Sequence, residues 1–336
     1  MMTASERFGN MIKGGSLDRL PMVEWAPWWD QTLARWKNDG LVCREDVPYH
    51  ILVRDVQLYF GLDACIDNWI SAHSQDTPKP SSHGAGIIKT RGDYEKIKRT
   101  LYLNPEEAVG KSYIDWINET RKEGNTIHWF TLEGYFWFAR TLFGIEGHLY
   151  SFYDEPELLK EICHDHTDWM KTVIEYIGNS VQFDFMSFGE DMSYNHGPML
   201  SKDLFDEFLA PYYREIIPYI KKLDIPVFLD SDGDITQAVD WYSEVGVEGM
   251  LPLERQAGVD VSLYLKKQPK MFFMGHFDKM CMKFGEEAMR KEFERLLPSM
   301  KTGKFIPSVD HQTPPDVSLE NYRIYARLLK EYASVK

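Results

Sequence analysis

The hydrophobic pattern of this chain changes period in a regular way. Short apolar runs, several rich in β-branched and aromatic residues, alternate with longer stretches whose apolar positions recur every three or four residues; these are the signatures of buried strands and amphipathic helices. The spacing predicts a helix over residues 2–13, ended by Gly14-Gly15, and a first strand over Pro21–Trp25. Further strands are predicted at Ala64–Trp69, Ile127–Leu132, Phe183–Phe188, Pro226–Leu229, Val247–Leu253, Met271–Gly275 and Phe305–Val309. Helical periodicity separates them over Tyr49–Phe60, residues 105–122, Arg140 on to Ile177, Leu204–Leu223, Ile235–Val245, Val261–Lys267, Glu286–Leu297 and Leu319–Tyr332.

Eight strands alternating with helices predict an α/β protein built as a single (β/α)8 TIM barrel over residues 1–336. Residues 71–103 interrupt the alternation with a stretch rich in Ser, His, Pro and Gly, and read as an inserted hairpin or lid after the second strand. Gly-x-Gly-x-x-Gly and phosphate-loop sequences are absent, which removes the main support for dinucleotide or nucleotide binding.

In a barrel, residues that directly follow the strands share one rim. Glu133, Glu190, Asp191, Asp230, Asp232, Glu254, His276, Asp310 and His311 are all so placed. Acids gathered this closely repel one another, and protons, the nearby Arg140 and Arg255, or a metal cation would relieve them. Glu190, Asp232 and His311 are the candidate catalytic groups. Glu190, Asp232, His276 and His311 offer two carboxylates and two imidazoles, a set suited to a borderline cation with zinc the first choice; proton transfer by these groups alone is the alternative. Trp25, Trp28, Trp29 and Trp36 crowd the exit of the first strand, either as the mouth of an apolar pocket or as packing under a capping helix. As a pocket, Trp25, Trp28 and Trp29 would bind substrate together with Arg140, Tyr194 and Glu254. Cys163, His164 and His166 read as a solvated helical face, and His73 and His83 as exposed loop residues.

Composition narrows the partners. Lys+Arg 38 against Asp+Glu 52 gives a net charge of −14, which disfavours nucleic acid, an anionic membrane or a polycarboxylate. The four cysteines are widely spaced, so no disulfide framework or cysteine zinc knuckle is indicated. With an amphipathic start and no run of about 18 apolar residues, a cytoplasmic protein is expected. A homodimer is compatible with all of this.

Two stretches carry a family likeness. His311-Gln312-Thr313-Pro314-Pro315-Asp316, followed by the helix start Leu319-Glu320-Asn321, resembles the last βα unit of the uroporphyrinogen decarboxylase superfamily, with His311 matching that family's His. Arg7-Phe8, Gly14 and Asp18-Arg19-Leu20-Pro21 are similar to its opening. The resemblance implies a barrel as well. In the corrinoid-linked methyltransferase branch, the strand end equivalent to Asp230-Ser231-Asp232-Gly233 reads His-x-Cys-Gly, and a later Cys completes a zinc site that activates a thiol. Here Asp stands at both positions, with Val309 and His311 near the later one, an oxygen-rich set poorly suited to activating a soft thiol. The decarboxylase branch has an Arg-rich segment after its first strand, where this chain has Trp25-Ala26-Pro27-Trp28-Trp29-Asp30 and so lacks guanidinium clamps for acid side chains. The resemblance therefore implies methyl transfer from a small O- or N-methylated donor, aromatic donors included, to a corrinoid (cobalamin) carried by a partner protein. The alternatives are a uroporphyrinogen-type decarboxylase and a non-catalytic ligand-binding barrel.

Overall fold

In the computed structural model, which describes residues 2–44 and 46–334, seven parallel strands make one sheet. They are β1 (Ala64–Ile70), β2 (Thr126–Glu133), β3 (Phe185–Gly189), β6 (Val227–Asp230), β7 (Gly249–Leu251), β8 (Phe272–Phe277) and β9 (Phe305–Val309), adjacent in chain order. β4 (Ser193–Tyr194) and β5 (Gly197–Pro198) form a separate antiparallel hairpin. The sheet curls on itself, because one apolar cluster draws on all seven strands: Cys65, Ile127, Trp129, Phe185, Phe228, Leu251, Phe272, Met274 and Ile306, joined by Val23 and Trp25. A second, larger core lies between the sheet and its surrounding helices. Alternate strand residues thus feed two cores, as the two-residue side-chain period requires.

The strand expected over Pro21–Trp25 carries no ladder. The segment nevertheless lies between the two edges of the sheet, with side chains replacing strand partners. Met22 N–H donates to the Asp63 carboxylate (2.9 Å), Gln57 donates to the Glu24 carbonyl (2.8 Å), and Trp25 N–H reaches the Ser308 hydroxyl (3.4 Å). Asp63 is held in turn by Arg7 (2.9 Å) and Arg19 (2.6 Å), and Arg7 also grips Asp18 (2.7 Å). The Arg7 and Asp18-Arg19 signature is therefore a structural clamp for the segment entering the sheet.

Other boundaries moved for local reasons. The sixth predicted strand shrinks to β7, since Pro252 has no N–H to donate and Leu253 adopts φ +63°. Residues 105–122 split at Gly110 (φ +83°) into helices Pro105–Val109 and Lys111–Glu123. The long helical stretch through Arg140 resolves into Tyr135–Phe143, Ile145–Asp154 and Pro156–Ser180. An additional helix, Asp30–Asn38, buries Leu33 and Trp36. Residues 71–103 contain no hairpin; they hold helix Arg91–Ile97, started by a Thr90–Asp93 capping box, and are pinned by a single antiparallel bridge between His73 and Leu101 and another from Ala85 to Gly144. Cys163 and His166 are buried rather than solvated, the imidazole stacking on Phe138 at 3.9 Å between ring centres and bonding the Glu133 carbonyl (2.8 Å). His164 and His83 are exposed as expected, whereas His73 is half-buried against Thr141. Among the described residues no helix is long and apolar enough to cross a membrane.

Candidate active site

β9 runs straight into Asp310 and His311, and the two divide their work. Asp310 is fully buried and accepts from the Arg255 N–H (2.9 Å) and the Lys279 N–H (3.2 Å), so it fastens the loops after β7 and β8. Burial pushes its carboxyl up to about 6, opposed by the Lys279 ammonium 3.7 Å away. His311 turns the other way. Its Nε2 lies 3.7 Å from an Asp232 carboxylate oxygen, and its ring meets Trp25 edge-on at 6.0 Å.

Asp232 and Glu254 come from the loops after β6 and β7. Asp232 N–H donates to Asp191 (3.2 Å), and Gly233 N–H donates to Glu254 (3.3 Å), which locks the two loops together. One oxygen or nitrogen from each of Asp232, Glu254 and His311 lies within 4.8 Å of the others. Burial, then repulsion from Asp191 and Glu254, pushes Asp232 up to about 8, although its side chain keeps about a third of its surface in solvent. Burial and the Lys279 charge hold the His311 imidazole below its usual value. Lys279, 3.9 Å from Glu254 and 3.7 Å from Asp310, is the cation that sequence reasoning did not pick out.

Glu190 and His276 do not join this group. The Glu190 carboxylate is completely buried and accepts from the Phe136 N–H (3.1 Å), the Trp137 N–H (3.3 Å), the Tyr213 hydroxyl (2.7 Å) and the Tyr242 hydroxyl (3.2 Å). It thus caps helix Tyr135–Phe143 from beneath, where the helix dipole and free N–H groups favour an acid. The close fit requires Gly134, whose missing Cβ would sit 1.9 Å from a Glu190 oxygen. His276 adopts φ +65°, which swings its ring out of the rim: Nδ1 faces the Leu253 carbonyl (2.8 Å), and Nε2 accepts from the Val261 N–H (3.2 Å) with Arg295 at 3.3 Å. With both ring nitrogens engaged and burial lowering its proton affinity to about 4, it is a structural imidazole. The four-residue metal set expected from sequence is therefore not brought together; Asp232 and His311 meet Glu254 instead.

Beside this cluster lies a cavity of about 330 Å³ lined by Trp25, Trp69, Trp129, Asp67 and Asp230, with Tyr49 and His50 among the residues on its outer side. Asp67 and Trp69 were not anticipated, although both share with Cys65 the strand face that points inside the sheet. The two-residue period could have revealed them. Trp69 lies across β3 at Gly189, where a Cβ would come within 2.4 Å of its ring, and stays 44% exposed to the cavity mouth. Burial pushes Asp67 up to about 7, against a hydrogen bond from Thr131 (3.0 Å). Burial and neighbouring carboxylates push Asp230 far above the usual range.

Only one tryptophan of the N-terminal trio lines this cavity. Trp28 is 1% exposed and packs in the helical shell against Trp36, Phe60 and Tyr322; Trp29 starts helix Asp30–Asn38 on the surface. Arg140 stacks on Trp137 (4.4 Å) and donates to the Asp191 carbonyl (3.3 Å), facing a neighbouring cavity of about 390 Å³ that His73 and His83 also line. Tyr194 is half exposed, and its carbonyl accepts from Asp234 (2.9 Å), so its backbone braces the Asp232-Gly233 turn. Gly233 (φ +81°) packs so closely on Tyr194 that a Cβ would lie 2.8 Å from its backbone.

Asp232, Glu254 and His311 fit a divalent cation. Two carboxylates and an imidazole are a zinc-compatible donor set, and a cation there would offset the repulsion that raises Asp232.

Residues 130–332 match the family model described as uroporphyrinogen decarboxylase (URO-D). The uroporphyrinogen decarboxylase of Campylobacter jejuni subsp. jejuni serotype O:23/36 (strain 81-176) is 27% identical over 188 residues, 53% of this chain and 50% of that protein. Its counterpart in Campylobacter jejuni strain RM1221 is 26% identical over the same length. The chain thus spans about half the length of the curated relatives it matches. Among solved structures, a methyltransferase from Methanosarcina mazei superposes with a TM-score of 0.68 at 11% identity, over 99% of both chains, a likeness of fold.

Proposed function

The chain belongs to the uroporphyrinogen decarboxylase family, and from its site we propose a methyltransferase that moves a methyl group from a small O- or N-methylated donor to a corrinoid carried by a partner protein. One observation supports the choice against a porphyrinogen decarboxylase: among the described residues no lysine or arginine lines the tryptophan and aspartate cavity, so a polycarboxylate would find no cationic partner there. The full-length likeness in fold to a methyltransferase is in keeping with it. In this reading the segment 21–25 completes an eight-stranded barrel, and residues 71–103 form a lid over the cavity beside Arg140.

Each group then has a task. Trp25 and Trp69 hold the donor by its apolar surface. Asp232, with its raised proton affinity, keeps a proton near neutral pH and delivers it to the leaving heteroatom as the methyl departs. His311, neutral and beside Asp232, accepts that proton's replacement from solvent and keeps the carboxyl oriented. In the alternative, with Asp232 ionised, zinc held by Asp232, Glu254 and His311 would supply Lewis-acid polarisation of the same heteroatom in place of that proton. Glu190 and His276 keep the rim in shape.

The test is a single-turnover assay with free cob(I)alamin as acceptor, following its visible spectrum while a panel of methyl ethers and methylamines is supplied. Formation of methylcobalamin, slowed on the order of 10²-fold by Asp232→Asn and by His311→Ala, is expected. Decarboxylation of a porphyrinogen without any methyl transfer would overturn the reading.

A further inference from the structure

The cavity beside the acid cluster has a composition that the general reading leaves unused. Its walls combine large aromatic rings with two carboxyl groups, Asp67 and Asp230, and among the described residues no lysine or arginine lines it. Asp67 is partly satisfied by the Thr131 hydroxyl (3.0 Å). The Asp230 carboxylate has no hydrogen-bond or ion-pair partner among the described residues, while its backbone is fixed in the sheet opposite Gly189 and Leu251. A carboxyl delivered by a strand end into an aromatic cavity, with no cation of the protein beside it among the described residues, is open to a ligand that brings a positive charge of its own. His50 does not supply one: burial against Tyr113 and Trp116 lowers its proton affinity, leaving it neutral.

Polar hydrogens are not what this site is equipped to take up. An N–H-rich cation such as a guanidinium needs several acceptors in a plane, whereas most of the wall is ring surface. Rings and a carboxylate together suit a cation whose charge is spread over methyl groups, the arrangement by which aromatic cages hold quaternary ammonium. Trp69 presents exposed ring surface at the mouth, and Trp25 forms another wall. A volume of about 330 Å³ accommodates a small ligand of this kind.

We propose that the Trp25, Trp69, Trp129, Asp67 and Asp230 cavity is a quaternary-ammonium site, and that the donor is a small N-methylated cation rather than a neutral ether. The inference deepens the methyltransferase reading and rests on it for the reaction, though not for the binding. The chemistry balances simply. The N–CH3 bond breaks with its electron pair passing to nitrogen, the lone pair of the partner's cobalt(I) corrinoid forms the Co–C bond, and the tertiary amine so formed, more basic than a carboxylate, takes up the proton that Asp232 holds as it leaves.

Binding can be measured apart from turnover. Isothermal titration of the full chain with choline is compared with 3,3-dimethylbutan-1-ol, which has the same shape with carbon in place of the charged nitrogen. Choline should bind about tenfold or more tightly. Asp230→Asn and, separately, Trp69→Leu should each remove about tenfold from choline affinity, and Asp230→Asn should leave the alcohol unchanged. Equal affinity for the two probes in the wild-type protein, preference for the alcohol, or no binding of either overturns the proposal without recourse to any variant. Choline-selective binding with no methyl transfer from any donor would sustain the site and defeat the methyltransferase reading; methyl transfer from neutral ethers without cation binding would do the reverse.

Discussion

Glu190 offers the sharpest check on the division between structural and chemical acids. Its carboxyl is fully buried among four donors, and burial lifts it from an ordinary 4.5 to about 7 despite them. A carboxyl whose folded value exceeds its unfolded one binds more protons in the native state, so its contribution is fully present below about 4.5 and is lost as pH rises through about 7. That interval is worth about 3 kcal/mol. Glu190→Gln is close in shape, permanently neutral and unable to titrate. The stability difference between wild type and Glu190→Gln should therefore shift by about 3 kcal/mol between about pH 4 and about pH 8, the wild type losing ground as pH rises. Taking the difference cancels the other raised acids, Glu24 at about 8 and Glu133 at about 7, which titrate in both proteins. Urea unfolding at each pH, with an unchanged denaturant slope as the control for two-state behaviour, gives the numbers. A difference that stays flat across this range would refute the burial argument, since it would mean that the Glu190 carboxyl binds its proton equally well folded and unfolded. Loss of methyl transfer in a Glu190→Gln protein of unaltered stability would return Glu190 to the chemistry.

Three further outcomes follow from the same geometry. Trp28→Ala should cost roughly 3–5 kcal/mol in urea unfolding, because Trp28 sits inside the helical shell, yet leave donor affinity alone; Trp25→Ala should instead weaken donor binding by roughly 1–3 kcal/mol in titration calorimetry. Elemental analysis of protein loaded with zinc should show metal lost in His311→Ala and retained in His276→Ala, since the His276 ring nitrogens are spent on Leu253 and Val261. Gly275→Ala should leave little folded protein by circular dichroism, because Gly275 has φ +109° and its Cβ would fall 2.1 Å from the Pro252 carbonyl oxygen.

Much of the rim was legible because strand ends in a parallel α/β fold deliver their next residues to one edge, and that rule needs only the hydrophobic period. It found Asp232, Glu254 and His311 without any coordinates. It could not say which way each residue turns once the strand stops. Asp191 (φ +42°), Leu253 (φ +63°) and His276 (φ +65°) all occupy the left-handed region without being glycine, and each such turn re-aims a side chain in a manner no spacing announces. Helix Asp30–Asn38 escaped for a related reason: its N-cap is Trp29, which makes no side-chain cap, so the usual polar start signal is missing. Asp67 and Trp69 escaped because they lie within a strand rather than after one.

Charge accounting at the rim then separates the acids more sharply than position does. Glu190 and Glu133 are answered by backbone N–H groups and hydroxyls, and Asp310 by two N–H groups and Lys279. These carboxylates are complete without a ligand, which is why their neighbourhood is rigid and why their replacement should register as lost stability. Asp232 meets His311 only at 3.7 Å, and the Asp230 carboxylate has no partner among the described residues. Both keep part of their surface accessible and, among the described residues, neither is paired by a close hydrogen bond of the fold, which leaves them the acids of the rim open to a ligand. The two lie on one stretch of chain, Asp230 turned to the aromatic cavity and Asp232 to Glu254 and His311. In the proposed reading the charged nitrogen of a quaternary donor, which is also the atom that gives up the methyl, would rest between the two. In that reading the binding carboxyl and the proton donor both hang on the β6 strand end, so a register shift there would disable both together.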